Sequence, residues 1–197
     1  FAAGAFDVVI LNGPTEHFVS EEDVIAGREE LVRGQLFDVL QHLVKPGGRV
    51  FITCIHFRYD TDIREVARPA LEHPLGSYYF HTSVLLAIFS GWYPMVGMYE
   101  RQAKARGFDV FYTREATRDY LVTSKHWVRR LRAFIQANPG FTARFFAKLW
   151  LEDPRYFFQV ALFWMFDPWS WQFRGGDDSP MVHRWLGFRR SEAEARV

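Results

Sequence analysis

Apolar runs separated by polar breaks divide the chain from Phe6 to Tyr112 into strand-sized and helix-sized pieces. Phe6 to Leu11 is a short β-branched run that stops at Asn12-Gly13-Pro14, the pattern of a buried strand and a turn. Ser20-Glu21-Glu22-Asp23 has the form of a capping box. Beyond it Ile25, Val32, Leu36, Val39, Leu40 and Leu43 keep a helical period as far as Lys45-Pro46-Gly47-Gly48. This predicts one helix of about six to seven turns. Gly27 and Gly34 lie on it, each weakening it by roughly 1 kcal/mol relative to Ala, and close backbone packing would account for them. Arg49 to Ile55 reads as a second buried strand. A strand, a helix and a strand in that order imply a parallel pair joined by a right-handed crossover.

From Arg58 to Tyr79 the pattern is irregular, with Pro69, Pro74 and Gly76, and an apolar stretch from Phe80 to Phe89 then breaks at Gly91-Trp92-Tyr93-Pro94. A cover with a short apolar helix is expected there. Met95 to Arg106 reads as a helix ended by Gly107, and Phe108 to Tyr112 as a third strand that repeats the crossover. Residues 123–137, 141–150 and 155–166 read as helices, with Pro139-Gly140 and Asp153-Pro154 as the breaks between them. Met181 to Arg190 is the expected last strand, and Ser191 to Val197 a polar tail. There are no internal repeats.

A length of 197 residues fits one domain with a single core. Aromatic residues make up 18% of the chain, which excludes disorder and low complexity. The single Cys54 excludes an internal disulfide framework, no Cys/His cluster has zinc-site spacing, and a reducing, cytoplasmic setting follows as the expectation. No apolar run approaches the ~18–20 residues of a membrane span, and Phe1 to Ala5 lacks the features of a signal peptide.

The net charge of +1 hides an uneven distribution. Residues 1–60 carry nine acids and five bases, whereas Leu121 to Leu151 carries six bases and no acid. Lys125, Arg129 and Arg132 recur there at i, i+4 and i+7. Such a stretch is either a solvated helix face or a contact for anionic groups, with an anionic membrane surface the natural candidate. Bases and aromatics are not interleaved on a nucleic-acid module, so no nucleic-acid partner is expected.

Several segments resemble, in the right order, class I S-adenosylmethionine-dependent methyltransferases, and among them the cyclopropane fatty acid synthase family, including the mycolic acid cyclopropane synthases. The Phe6 to Ile10 strand leading into Glu16-His17-Phe18 is similar to that family's strand and its Glu-His-Phe element. Leu43 to Arg49 looks like the turn before its next strand. Gly91-Trp92-Tyr93-Pro94, a helix and Gly107-Phe108 follow as in the family. Tyr120 to Trp127 resembles its Tyr-x-x-Thr-x-x-x-Trp run, and Phe166 to Gly175 more loosely its final aromatic helix. The resemblance implies an α/β fold: the C-terminal part of a Rossmann-like class I methyltransferase sheet, strands four to seven, with a helical substrate cover over 57–94 and 121–175. The Gly-rich cofactor loop of doubly wound folds is absent. On this alignment, residues 1–197 form a single, N-terminally truncated domain.

The same resemblance implies S-adenosylmethionine as methyl donor and a bicarbonate ion as proton acceptor. Open α/β sheets bind ligands at the carboxyl ends of their strands. Asn12, Gly13 and His17 are accordingly expected beside the donor. Glu16 carries over as the carboxylate of the anion site, and Tyr120 as a phenol that donates a hydrogen bond. The third family member is a histidine, but Thr53 stands at the matching position and cannot titrate. His56 lies three residues on, facing the other side of the strand by alternation. Cys54 reads as a small buried residue. Trp169 is nearest the position of a cysteine that the family often carries.

Phe80, Phe89, Trp92, Tyr93 and Trp127 are expected to line an apolar acceptor site, where aromatic faces stabilise a developing cation and water is excluded. Each is also an ordinary candidate for the core. The expected reaction is methyl transfer to a lipid-like acceptor, either cyclopropanation or methylation of an unsaturated acyl chain. Two alternatives stay open: a small-molecule methyltransferase, which Thr53 favours, and a catalytically silent binding subunit. Neither the acceptor nor the oligomeric state is legible.

Overall fold

A computed structural model describes residues 2–192. In chain order its strands and helices are β1 (Phe6–Asn12), α1 (Glu21–Ile25), α2 (Glu29–Leu43), β2 (Val44–Phe57), α3 (Ile63–Val66), α4 (Tyr78–Phe89), α5 (Met98–Lys104), β3 (Phe108–Glu115), α6 (Thr117–Ala137), α7 (Pro139–Glu152), α8 (Pro154–Phe166), α9 (Pro168–Trp171) and β4 (Met181–Arg190). The chain divides into two compact units. One comprises Phe1–Ile63, Gly91–Thr117 and Met181–Val197; the other comprises Arg64–Ser90 and Arg118–Pro180. Of the expected polar tail, residues 193–197 lie outside those described.

The first unit is built on a four-stranded sheet of order β1-β2-β4-β3. β1 and β2 pair in parallel, with Asn12 opposite Thr53, whereas β4 runs antiparallel to both of its neighbours. Both crossovers are therefore as expected in direction, but the second does not join neighbouring strands. β3 does run in the direction of β2, but β4 lies between them and takes the ladder bonds of both. Gly187 makes room for this insertion: a Cβ there would stand 2.9 Å from both the Phe111 ring and the Tyr112 Cβ, at the bulge in β3.

The long helix expected after β1 is two helices. Ser20 and Asp23 form the capping box of α1, but at Gly27 the backbone turns to φ +71°, which ends the helix after a turn and a half. A continuous apolar period does not reveal such a stop. Gly34 is different, since a Cβ there would collide with the Arg106 guanidinium, which bridges to Asp38 at 2.6 Å. The buried stripe of α2 is Arg33, Gly34, Phe37 and Leu40. Val32, Leu36, Val39 and Leu43 instead line an open groove of about 410 Å³ with Val9 and Leu11.

Phe37 is the centre of the core on the buried face. Its ring meets Phe188 at 5.4 Å and Phe108 and Tyr99 at 6.0 Å, all in tilted or edge-on geometry. Val50, Ile52 and Cys54 of β2 complete the cluster by period-2 alternation.

In the second unit three helices begin at a proline. Asn138-Pro139, Asp153-Pro154 and Asp167-Pro168 each stop one helix and start the next, because proline lacks an N–H yet has the φ of a first helical residue. Asp153 and Asp167 also cap, accepting at 3.1 Å from the amides of Tyr156 and Ser170. Aromatic contacts join the helices: Phe80 to Phe166 at 4.8 Å, Phe134 to Phe141 at 5.7 Å and Phe146 to Phe157 at 5.8 Å. Neither α7 nor α8 contains a buried residue.

Phe37→Ala removes the ring on which three other rings converge. It is expected to cost about 3–5 kcal/mol, read as a lower denaturant midpoint at unchanged slope.

Candidate functional site

The carboxyl end of β1 turns sharply into a short 3₁₀ helix, Thr15–His17, that carries Glu16. Gly13 makes the turn at φ +80°, and its amide donates to the Thr53 carbonyl at 3.0 Å. Nothing lies within 4 Å of where a Cβ on Gly13 would stand, so a ligand can approach this backbone closely. Asn12 and His17 beside it are exposed. The Thr53 hydroxyl donates to Asn12 Oδ1 at 2.5 Å, which ties the end of β1 to β2.

Glu16 is only 7% exposed, and its Oε2 is buried without a hydrogen-bond partner. Burial pushes its carboxyl up to about 6, and hydrogen bonds from the Cys54 thiol and the Ile55 backbone, with the charge of His17, offset only part of that. The Cys54 thiol is in turn pushed up, by burial first and then by the Glu16 charge. Cys54 is fully buried, as expected.

Two contacts hold the Glu16 turn in place. Tyr99 donates its hydroxyl proton to the Thr15 carbonyl at 3.0 Å, and the same hydroxyl accepts from Arg33 Nη1 at 3.1 Å. Arg33, 1% exposed, also donates to Glu29 Oε1 at 2.8 Å and to the Trp92 carbonyl at 2.5 Å. The second contact is Gly91. At φ +83°, a Cβ there would stand 2.6 Å from the Glu16 carbonyl oxygen and 2.8 Å from the His17 Cα. The Gly-Trp-Tyr-Pro and Glu-His-Phe segments, far apart in sequence, thus pack backbone to backbone, and only glycine fits.

His56 does not replace the missing histidine at Thr53. It lies on the buried face with Cys54, its Nδ1 3.1 Å from the Cys54 carbonyl and its ring edge-on to Tyr99 at 5.7 Å. Burial, reinforced by the charge of Arg184, lowers its pKa to about 3, so it is a neutral interior group.

The other expected site residues divide between the units. Trp92 and Tyr93 are buried against Phe57, with ring centroids 4.8 and 5.4 Å away. In the helical unit Phe80 is fully buried, while Phe89 is half-buried and packs on Trp169 at 4.6 Å. Tyr120 lies between Phe173 at 5.0 Å and Trp127 at 6.0 Å, and Trp127 stays exposed. Sequence reasoning missed Arg33 and Tyr99. The signal for Arg33 was its i, i+4, i+7 spacing with Phe37 and Leu40, which places a cation on a buried stripe.

No group of three or more His, Cys, Asp or Glu that could hold a metal occurs among the described residues, and no described helix is long and apolar enough to cross a membrane.

Glu16 titrates near 4.5 when unfolded and near 6 when folded, so the folded chain binds more protons in that window and loses stability as pH rises through it. Above pH about 6 the charged carboxylate costs about 2 kcal/mol. Glu16→Gln should therefore raise the thermal midpoint above pH about 6 and leave it unchanged below about 4.5, checked by melting across that range. Gly91→Ala should cost about 2–4 kcal/mol in chemical unfolding and return the Glu16 titration toward the ordinary carboxylate range.

No family model and no curated protein matches the sequence. Solved structures do match. The cyclopropane synthase MmaA2 from Mycobacterium tuberculosis is similar with a TM-score of 0.65 at 14% identity, over 95% of this chain and 56% of that one. The mycolic acid cyclopropane synthase CmaA1, complexed with SAH and CTAB, gives 0.61 at 19% identity, over 93% of this chain and 55% of that one. Geranyl diphosphate C-methyltransferase from Streptomyces coelicolor gives 0.55 at 14% identity, over 96% of this chain and 47% of that one. The chain spans about half the length of these proteins, as a match to their C-terminal part alone would. Its mixed sheet and helical insertions give it the fold of S-adenosylmethionine-dependent methyltransferases, cyclopropane synthases among them, over that part of their length.

Proposed function

We propose that the chain works in S-adenosylmethionine-dependent methyl transfer to an apolar, lipid-like acceptor, an unsaturated fatty acyl chain foremost. The observation that carries this reading is Glu16: a buried carboxylate at the carboxyl end of a parallel strand, with one oxygen unpartnered and a pKa of about 6.

Asn12, Gly13 and His17 are the residues that would hold the donor, at the backbone left open by Gly13. Bound there, S-adenosylmethionine supplies a methyl group carried on a sulfonium. Glu16 is the proton acceptor, since a group titrating near 6 is largely ionised at neutral pH and still basic enough to take a proton. The burial that raises its pKa also keeps water from competing for a cation. Thr53 holds Asn12 and does not titrate. A bicarbonate ion would find in Glu16 an unpartnered oxygen but no imidazole at Thr53, which leaves the proton to Glu16 itself. Tyr120, held between two rings, is the proposed hydrogen-bond donor. Trp92 and Tyr93 of the sheet-bearing unit, and separately Phe80, Phe89 and Trp127 of the helical unit, are the proposed apolar contacts for an acceptor, and the free Cys54 supports a cytoplasmic setting.

A second reading is methyl transfer to a small prenyl-like molecule. It is favoured by the likeness to geranyl diphosphate C-methyltransferase and by Thr53.

The full-length protein, incubated with methyl-labelled donor and either unsaturated phospholipid or a prenyl diphosphate, separates the two. Label in the lipid fraction is expected, with Glu16→Gln slower by at least about a hundredfold at unchanged donor affinity. Label only in the prenyl product overturns the lipid acceptor. Absence of both transfer and calorimetric donor binding overturns the enzyme.

A further inference from the structure

The face of the sheet opposite the Phe37 core stays open. By alternation along β2, Arg49, Phe51 and Thr53 point away from the buried Val50, Ile52 and Cys54. Ladder register sets their neighbours on β4: Arg189 stands opposite Arg49, Gly187 opposite Phe51 and Trp185 opposite Thr53. On β1, Val8 and Ile10 extend the first two of these rows and are 46% and 68% exposed.

The first row holds an electrostatic conflict. Two arginines directly opposite each other across a ladder repel, and like-charge pairs of this kind weaken a sheet. Arg49 and Arg189 are both exposed, and neither has a carboxylate partner among the described residues. Asp109, on the other side of Arg189, has its Oδ2 on the Ser191 hydroxyl at 3.2 Å instead. What gathers the two cations is Phe111. Gly187 gives this ring its place over β4, and both guanidinium carbons lie 5.7 Å from its centroid, with the Phe51 ring edge-on to it at 5.5 Å. Guanidinium groups held by an aromatic face keep their N–H forks for another acceptor.

The number of forks selects the ligand. One fork satisfies a carboxylate, whereas two forks match a phosphoryl group, whose double charge also cancels both arginines. Beside the pair, Phe51, Phe111 and Ile10 offer apolar surface to the rest of such a molecule. Arg49 precedes Thr53 by four residues, or about 13 Å of strand, so the row is separate from the Glu16 turn.

We propose that Arg49 and Arg189 form a clamp for the phosphoryl group of a small organic phosphate, whose apolar or aromatic part lies on Phe51 and Ile10. The clamp does not depend on methyl transfer and holds or fails without it.

The full-length protein, without methyl donor, is titrated by calorimetry with phenyl phosphate, inorganic phosphate and benzoate in turn. Saturable binding of phenyl phosphate is expected, with inorganic phosphate weaker because it lacks the apolar part, and benzoate at least about tenfold weaker because it fills only one fork. Arg49→Gln and Arg189→Gln should each weaken phenyl phosphate at least about tenfold, the usual effect of losing a hydrogen bond to a charged group. Arg49→Lys, which keeps the charge and loses the fork, should weaken it as well. Arg114→Gln, on the same sheet but in the Trp185 row, should bind as the unaltered protein does. Both clamp arginines are exposed, and removing either relieves a repulsion, so the variants should melt no lower than the unaltered protein. No saturable binding up to about 10 mM phenyl phosphate overturns the proposal. Benzoate binding as tightly as phenyl phosphate overturns it in favour of a carboxylate contact, and an equal loss with Arg114→Gln overturns it in favour of general charge attraction.

Discussion

A guanidinium buried to 1% exposure cannot be left without acceptors, and satisfying Arg33 organises the sheet-bearing unit. Its donors reach Glu29 one turn back on α2, the Trp92 carbonyl in the loop after α4, and the Tyr99 hydroxyl on α5. Tyr99 passes the constraint on to the Thr15 carbonyl. One cation thereby fixes the separation of two helices and a loop, and sets the turn on which Glu16 stands. Removing one partner of such a buried arrangement costs about 3–5 kcal/mol, mostly because a charge is then left uncompensated.

The same unit buries an acid, Glu16, and an imidazole, His56, with the charged form of each disfavoured. The cost of desolvation raises Glu16 and lowers His56, so both lean toward neutrality but on opposite sides of their ordinary values. His56 is held neutral down to about pH 3, and it weakens the fold as pH falls below the usual imidazole range near 6.5. Glu16 does the reverse in its own window. Gly91 and Tyr99 pack on the backbone of the turn that carries Glu16, which fixes where its side chain starts.

The helical unit follows a different logic. Prolines preceded by Asn or Asp cut one long aromatic sequence into short helices, and ring-to-ring contacts then join them. Short helices paired in this way cannot bury all of their rings, so α7 and α8 retain none that is fully covered. Apolar surface with cationic neighbours is the consequence.

Local chemistry made much of this legible. The β-branched runs, Asp-Pro and Gly-Gly punctuation and the capping box at Ser20 located the strands and most helices, since such signals act within a few residues. Met181–Arg190 could be read as a strand, but not where it would lie. Its place between β2 and β3 depends on ladder partners more than sixty residues away, and on Gly187 leaving space for Phe111. Glu16 could be singled out from the sequence, yet its pKa of about 6 arises only from its burial in the folded chain, which the hydrogen bonds from Cys54 and Ile55 offset in part. The sequence by itself determined the periodicities, the breaks and the supply of aromatic and basic residues, because these are properties of neighbours along the chain. Tertiary structure alone decided which stripe of α2 is buried, that Gly27 ends a helix while Gly34 admits an arginine, and that the face of β2 bearing Cys54 and His56 is the buried one. Those outcomes are set by the free energy of bringing distant groups out of water together.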